Sequence, residues 1–330
     1  MKIRSTVSMA AAVVALTILG GTNSVMAGDT SNQRYVMVVP ISGHPFWVPI
    51  RKGAEDAAKQ LGVKFEFTGP VEFDNRAQQQ QIEQIAVTKP AAFLTGAFDP
   101  TAKDTIDRVT AMGVPVVTFD SDAPTSKRIS FIGPDHYKVG WEYGNKMVSF
   151  LKEKGKTSGK IGLITAIDQT NLQVRIKGLN DYLAANAKEF TVVDTEDNRG
   201  DDQVTAERAK AMMTAHPDID GIVVINAAAS GLGTAIKELG LTGKVVVVAS
   251  DVFDPILCAI DAGQIQTTSA VTTYLEGYLA LKFAYDYVNG NVNNVPGASV
   301  GVSKLPPVVD PGLFFIDKSD AKVFLTKACQ

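Results

Sequence analysis

The sequence predicts an α/β chain folded as two similar lobes of parallel sheet joined by a hinge. Two observations carry that expectation. The strand-like runs are continuous and β-branched rather than alternating, as strands buried on both faces of a parallel sheet read. The pattern also occurs twice. Gly113–Pro124 (GVPVVTFDSDAP) and Gly243–Pro255 (GKVVVVASDVFDP) each run through β-branched residues into an acid, and those acids, Asp120 and Asp251, stand 131 residues apart. Ala91–Thr95 answers to Gly221–Ile225, and Tyr35–Ile41 answers to Lys160–Thr165. Strand–helix units repeated in this way make two lobes and a cleft. Ligands of open α/β sheets sit beyond the carboxyl ends of the strands, so both acids are expected to face that cleft.

The elements follow in order. Residues 1–27 read as a cleaved secretory signal peptide: Lys2 and Arg4, then the apolar Met9–Leu19, then the small-residue exit Val25-Met26-Ala27. That apolar run is too short to span a bilayer, which takes about 20 residues. The mature protein is expected to be exported and soluble. Strands are predicted at Tyr35–Ile41, Val63–Thr68, Ala91–Thr95, Val114–Phe119, Ile129–Ile132, Lys160–Thr165, Phe190–Asp194, Gly221–Ile225, Lys244–Ala249 and Ile265–Ala270. Helices are predicted at Phe46–Leu61, Ala77–Thr88, Thr101–Met112, Tyr137–Glu153, Leu172–Ala187, Gln203–Ala215, Leu232–Leu239 and Thr273–Asn289. In the first, Phe46, Ile50, Ala54, Ala57 and Leu61 share a face at helical spacing. Gly62, Gly113 and Gly240 stand where a left-handed residue closes a last turn. The tail after Leu305 holds two short strands and a helix. Residues 34–133 with 272–306 are assigned to the N-terminal lobe, and 134–271 with 307–330 to the C-terminal lobe. Pro306-Pro307 and Asp310-Pro311-Gly312 mark a third crossing, and three crossings make a hinge that bends without unfolding either lobe.

Composition narrows the function. The net charge is −3 and the sequence has no long basic run, so nucleic acid is not an expected partner. The three histidines, His44, His136 and His216, lack ligand spacing and a cysteine pair, so neither a metal nor another cofactor is expected. No phosphate-cradling loop or nucleophile turn is present. Gly231-Leu232-Gly233 has Ile236 where a dinucleotide fingerprint needs a third glycine. Asp120 and Asp251 as a glycosidase pair is the enzymatic alternative; acids at strand ends of a repeated binding fold are more simply hydrogen-bond acceptors. Cys258 and Cys329 are the only cysteines, and a bridge and two free thiols both remain open.

What remains is recognition of a neutral, hydroxyl-rich molecule. Carboxylates accept hydroxyl protons, arginine donates in a fork, and an aromatic face covers C–H groups. The chain offers His44, Phe46 and Trp47 after the first strand, and Asp120 after the fourth. Asp135 and His136 lie at the lobe crossing, Asn171 and Arg175 at a helix start, and Asn226 and Asp251 at later strand ends. The bland readings are core packing for the aromatics, helix caps for Asp120, Asp135, Asn171 and Asp251, a turn for Asn226 and a solvated charge for Arg175.

Several segments together resemble the periplasmic sugar-binding proteins of ABC transporters, of the ribose-binding type. They are HPFW at 44–47 followed by KGAEDAAKQLGV, FDSDAP at 119–124, IGPDHYKVG at 132–140, NLQVRIKGL at 171–179, TAHPDIDGIVVIN at 214–226 and ASD at 249–251. The resemblance implies two Rossmann-like lobes, ligand-driven closure and no enzymatic activity. It places Phe46, Trp47, Asp120, Arg175, Asn226 and Asp251 in a sugar site, with His44, His136 and Asn171 as neighbours. The implied partners are a small neutral carbohydrate or polyol and an ABC permease in the inner membrane; a chemoreceptor is the alternative, and a monomer is expected. Ser121, Ala227, Val271 and Gly200 depart from the ribose-binding pattern of Arg, Asp, Gln and an aromatic residue, which redirects specificity away from ribose. The loop Asn226–Gly231 and the turn Gly69-Pro70 are more similar to relatives that bind furanose-type signals, deoxysugars or short polyols.

Overall fold

The structure is a computed structural model and describes residues 29–329; the expected signal peptide lies outside the described residues. The chain begins β1 (Arg34–Val38), α1 (Trp47–Leu61), β2 (Lys64–Thr68), α2 (Asn75–Ala86), β3 (Ala92–Thr95), α3 (Ala102–Ala111), β4 (Val116–Phe119) and β5 (Ser130–Ile132). It crosses into α4 (His136–Glu153), β6 (Gly159–Thr165), α5 (Thr170–Asn186), β7 (Phe190–Asp197), α6 (Asp202–Ala215), β8 (Gly221–Val224), α7 (Ser230–Glu238), β9 (Val246–Ser250), α8 (Asp254–Asp261) and β10 (Thr267–Val271). Then follow α9 (Thr273–Val288), β11 (Val308–Val309), β12 (Leu313–Asp317) and α10 (Ala321–Phe324).

The strands form two six-stranded sheets of matching strand order, β11-β5-β4-β3-β1-β2 and β12-β10-β9-β8-β6-β7. Only β10–β12 pairs antiparallel among the described strands. Each sheet is buried on both faces, which is why its strands read as unbroken apolar runs. In β1, Tyr35 and Met37 join the core beneath α1 and α9, while Val36 and Val38 join the core beneath α2 and α3.

The duplication extends to helix packing. A Cβ on Gly53 of α1 would lie 2.0 Å from the Tyr274 carbonyl, and one on Gly277 of α9 would lie 1.8 Å from the Ile50 carbonyl. In the second lobe, α4 and α5 meet likewise, at Gly140 against the Arg175 carbonyl (1.9 Å) and Gly178 against the Tyr137 carbonyl (2.1 Å). Such backbones touch only where no side chain intervenes.

One detail differs from expectation and one settles a choice left open. The boundary at 306/307 falls early, because Val308-Val309 still pairs with β5 in the first sheet. The two prolines lack N–H groups, yet their carbonyls accept from Ser130 Oγ (2.6 Å) and from Phe131 N (3.1 Å). The change of sheet comes at Asp310-Pro311-Gly312. Cys258 of α8 and Cys329 form a disulfide with Cα atoms 5.5 Å apart, which resolves the open choice about the thiols. The bridge ties the tail to α8, where Thr326 also donates to Asp254.

Candidate functional site

The two repeated acids occupy equivalent places. Asp120 directly follows β4 and Asp251 directly follows β9. Both are left-handed, at φ 55° and 72°. Their N–H groups donate to neighbouring strand ends, Asp120 to the Ile132 carbonyl (3.1 Å) and Asp251 to the Ser269 carbonyl (2.8 Å). A left-handed aspartate costs about 1 kcal/mol or more, and such strain gathers at ligand sites.

Between the lobes lies a cavity of about 140 Å³. Of the ten residues singled out from sequence, His44, Phe46, Trp47, Asp120, Asn171, Arg175, Asn226 and Asp251 line it. The first lobe supplies an aromatic wall. Trp47 meets Phe46, Phe98 and Phe119 edge-on, with centroids 4.9, 5.9 and 6.2 Å apart. Phe73 reaches the same wall beside Phe98. The second lobe contributes no aromatic ring to the lining among the described residues; Leu172, Arg199, Gly200 and Ala227 stand there. Trp47 Nε1 and Asn171 Oδ1 are buried without a hydrogen-bond partner among the described residues.

His136 stands behind this lining. Its Nε2 contacts the Asp120 carbonyl at 2.6 Å, and Arg175 Nε donates to its Nδ1 at 3.0 Å. A carbonyl only accepts, so Nε2 carries the proton and Nδ1 is bare. Burial and the Arg175 charge push this imidazole down to about 3, so it is neutral. The ring thus couples the first-lobe acid to the second-lobe arginine. Arg175 also donates to the Ile225 carbonyl (3.2 Å), which aims the guanidinium from α5 toward β8.

Asp135 does not belong to the site. It is exposed and caps α4, accepting from Lys138 N at 3.0 Å. An acid three residues ahead of a helical N–H serves as an N-cap whether or not a ligand is near, so its type at a lobe crossing carried no site information.

The charges are unbalanced. Burial pushes Asp120 up to about 7; Arg175 opposes that and the Asp251 charge adds to it. Burial also pushes Asp251 up to about 6 against Arg175. Glu276, in the first turn of α9, is wholly buried, and neither carboxylate oxygen has a partner among the described residues. Burial first, then the Asp120 charge, holds it well above the ordinary carboxylate range. Three acids therefore share one buried guanidinium. Burial keeps at least one of these acids protonated near neutrality.

The lobes also touch across the cleft mouth. Thr170 N donates to the Phe98 carbonyl at 3.1 Å, and Thr170 Oγ1 to the Ala97 carbonyl at 3.3 Å. Sequence reading missed Phe73, Phe98, Thr170 and Glu276. Phe98 had a signal, since it stands in the loop that leaves the carboxyl end of β3; the others had none.

Similarity to known proteins agrees with this architecture. The model of the periplasmic binding protein domain matches residues 35–291. The D-allose-binding periplasmic protein of Escherichia coli is 27% identical over 267 residues, 76% of this chain and 83% of that protein. A sugar-binding protein of a sugar ABC transporter from Bacillus halodurans has a TM-score of 0.80 at 29% identity, covering 89% of this chain and 100% of that one. AraP, an arabinose-binding protein from Geobacillus stearothermophilus, has a TM-score of 0.75 at 30% identity with the same coverage. With two sheets of matching strand order, matched acids at equivalent strand ends and a domain model that spans most of both lobes, the chain belongs to the periplasmic binding protein family.

Proposed function

We propose that this protein is a receptor that encloses one small neutral carbohydrate or polyol between its lobes and delivers it to an ABC permease. The observation that carries this reading is the pair of duplicated acids, one from each lobe, sharing a buried guanidinium in a cavity with an aromatic wall on one side. Carboxylates and a guanidinium together take hydroxyls that both donate and accept, and the rings cover the C–H face. Relatives named for allose and arabinose bind molecules of this class. On the reading of residues 1–27 as a signal peptide, the receptor works in the periplasm beside an inner-membrane permease, and it is proposed to act as a monomer.

A thermal-shift screen tests the reading. The panel is pentoses, hexoses, deoxysugars, tetritols and pentitols, with sugar phosphates as controls. At least one neutral member is expected to raise the melting temperature in a concentration-dependent way, because it binds only the folded form. A flat response across the neutral panel contradicts the proposal, and so does a response confined to the phosphates.

A further inference from the structure

Asn198 follows β7, is wholly buried and does not line the cavity. Its side chain uses every hydrogen-bonding position it has. Nδ2 donates to Thr205 Oγ1 (2.9 Å) and to Asn226 Oδ1 (2.8 Å). Oδ1 accepts from Gly200 N (3.0 Å) and from Asn226 Nδ2 (2.8 Å).

Two independent contacts fix which end of this amide is which. Gly200 N is a backbone donor, so the atom facing it is the oxygen. The Thr205 hydroxyl gives its only proton to the Asp201 carbonyl (2.8 Å), so the atom facing that hydroxyl is the nitrogen. A flipped Asn198 would set donor against donor and acceptor against acceptor.

The reciprocal pairing passes this orientation to Asn226, which lines the cavity. Asn226 Oδ1 takes the Asn198 proton and, more weakly, the Ala228 N–H (3.4 Å). One Nδ2 proton goes to Asn198, and one is left. Asn226 therefore offers the cavity a donor and no free acceptor, while Asp120 and Asp251 offer acceptors.

We infer that Asn198 is a positioning residue that locks Asn226 as a hydrogen-bond donor, so that the ligand sets an oxygen lone pair against Asn226. This rests on the carbohydrate reading above. It adds a polarity to one wall of the site: the ligand oxygen there accepts from Asn226 and, if it is a hydroxyl, gives its own proton elsewhere.

The test is a double-mutant cycle by calorimetry. The probe is the panel sugar with the largest thermal shift on wild type. Asn198→Ala is expected to weaken binding about tenfold, and Asn226→Ala by at least as much. In the Asn226→Ala background, Asn198→Ala is expected to change affinity less than twofold, since it acts only through Asn226. A purely structural role for Asn198 costs the same in both backgrounds and overturns the inference. Should Asn198→Ala fail to fold, the isosteric Asn198→Asp takes its place, with the same background dependence expected and the same result overturning it. Asn226→Asp is expected to bind more weakly than Asn226→Ala, because an acceptor would then face the ligand lone pair; tighter binding overturns the assigned polarity. If no panel sugar binds wild type, the carbohydrate reading itself fails, a result distinct from either of these.

Discussion

Asp120 and Asp251 combine two costs, a left-handed backbone and a buried carboxylate, and no fold needs both twice at equivalent places. Holding a ligand explains the expense. Removing Asp251 or Arg175 is expected to weaken sugar binding by at least about 2 kcal/mol, since a charged hydrogen bond is lost inside a dry site; calorimetry of Asp251→Ala and Arg175→Ala checks this, and unchanged affinity in both would clear them of the role. Glu276 gives a pH test. Its folded value lies well above the ordinary 4.5 of a free glutamate. The folded state therefore holds the proton that the unfolded chain releases, and stability falls as pH rises past that value. Asp120 and Asp251 push the same way, from 3.8 up through about 7 and about 6. Glu276→Gln mimics the protonated acid. Its melting temperature relative to wild type is expected to be near even at pH 4 and clearly higher at pH 8; a difference that does not grow with pH would contradict the assignment of Glu276 as a proton-holding group.

At the scale of elements, α5 carries both the cavity arginine, Arg175, and a contact between the lobes, made by Thr170. Thr170 is its first residue, and Gln169 before it is extended (φ −83°, ψ 127°). Proline suits a first helical position and wants an extended predecessor. Thr170→Pro therefore removes both bonds that Thr170 makes to the first lobe while leaving the helix start intact. The expected loss is about 1.5 kcal/mol, or about tenfold in affinity, carried by faster release, with the melting temperature of the free protein little changed. Stopped-flow fluorescence of the tryptophans measures the release rate, and an unchanged rate rules out the latch. The tail is a separate element. Its disulfide spans 71 residues of sequence and lies at α8, outside the cavity lining. Cys329→Ser is expected to lower the melting temperature, by at most about 4 kcal/mol of stability on the chain-entropy account, and to leave sugar affinity unaltered.

For the molecule as a whole, the duplication was legible before any coordinates. Buried parallel strands leave a plain apolar signature, and the acids that end β4 and β9 sit in near-repeated text, so lobe count, strand positions and eight cavity residues could be read from sequence. What stayed hidden depends on contacts between distant segments. Asn198 and Glu276 are polar residues in ordinary-looking stretches, and their burial becomes visible only when the loops after β7 and β8 meet past the end of β6, or when α9 packs on the first sheet. Thr170 resembles any helix start until Phe98 arrives opposite. Asp135 misled for the converse reason, since a cap and a ligand acid have the same chemistry. The proline pair at 306–307 resembled a boundary because prolines lack donors, although their carbonyls continue the first lobe.

The central claim is that one sugar is gripped by acids from both lobes at once. Calorimetry of wild type, Asp120→Ala and Asp251→Ala against the best panel sugar tests it most directly. The account predicts one site per wild-type chain, and binding lost or weakened by roughly thirtyfold or more in each single variant. Full affinity in either variant, or a second site in wild type, would contradict it.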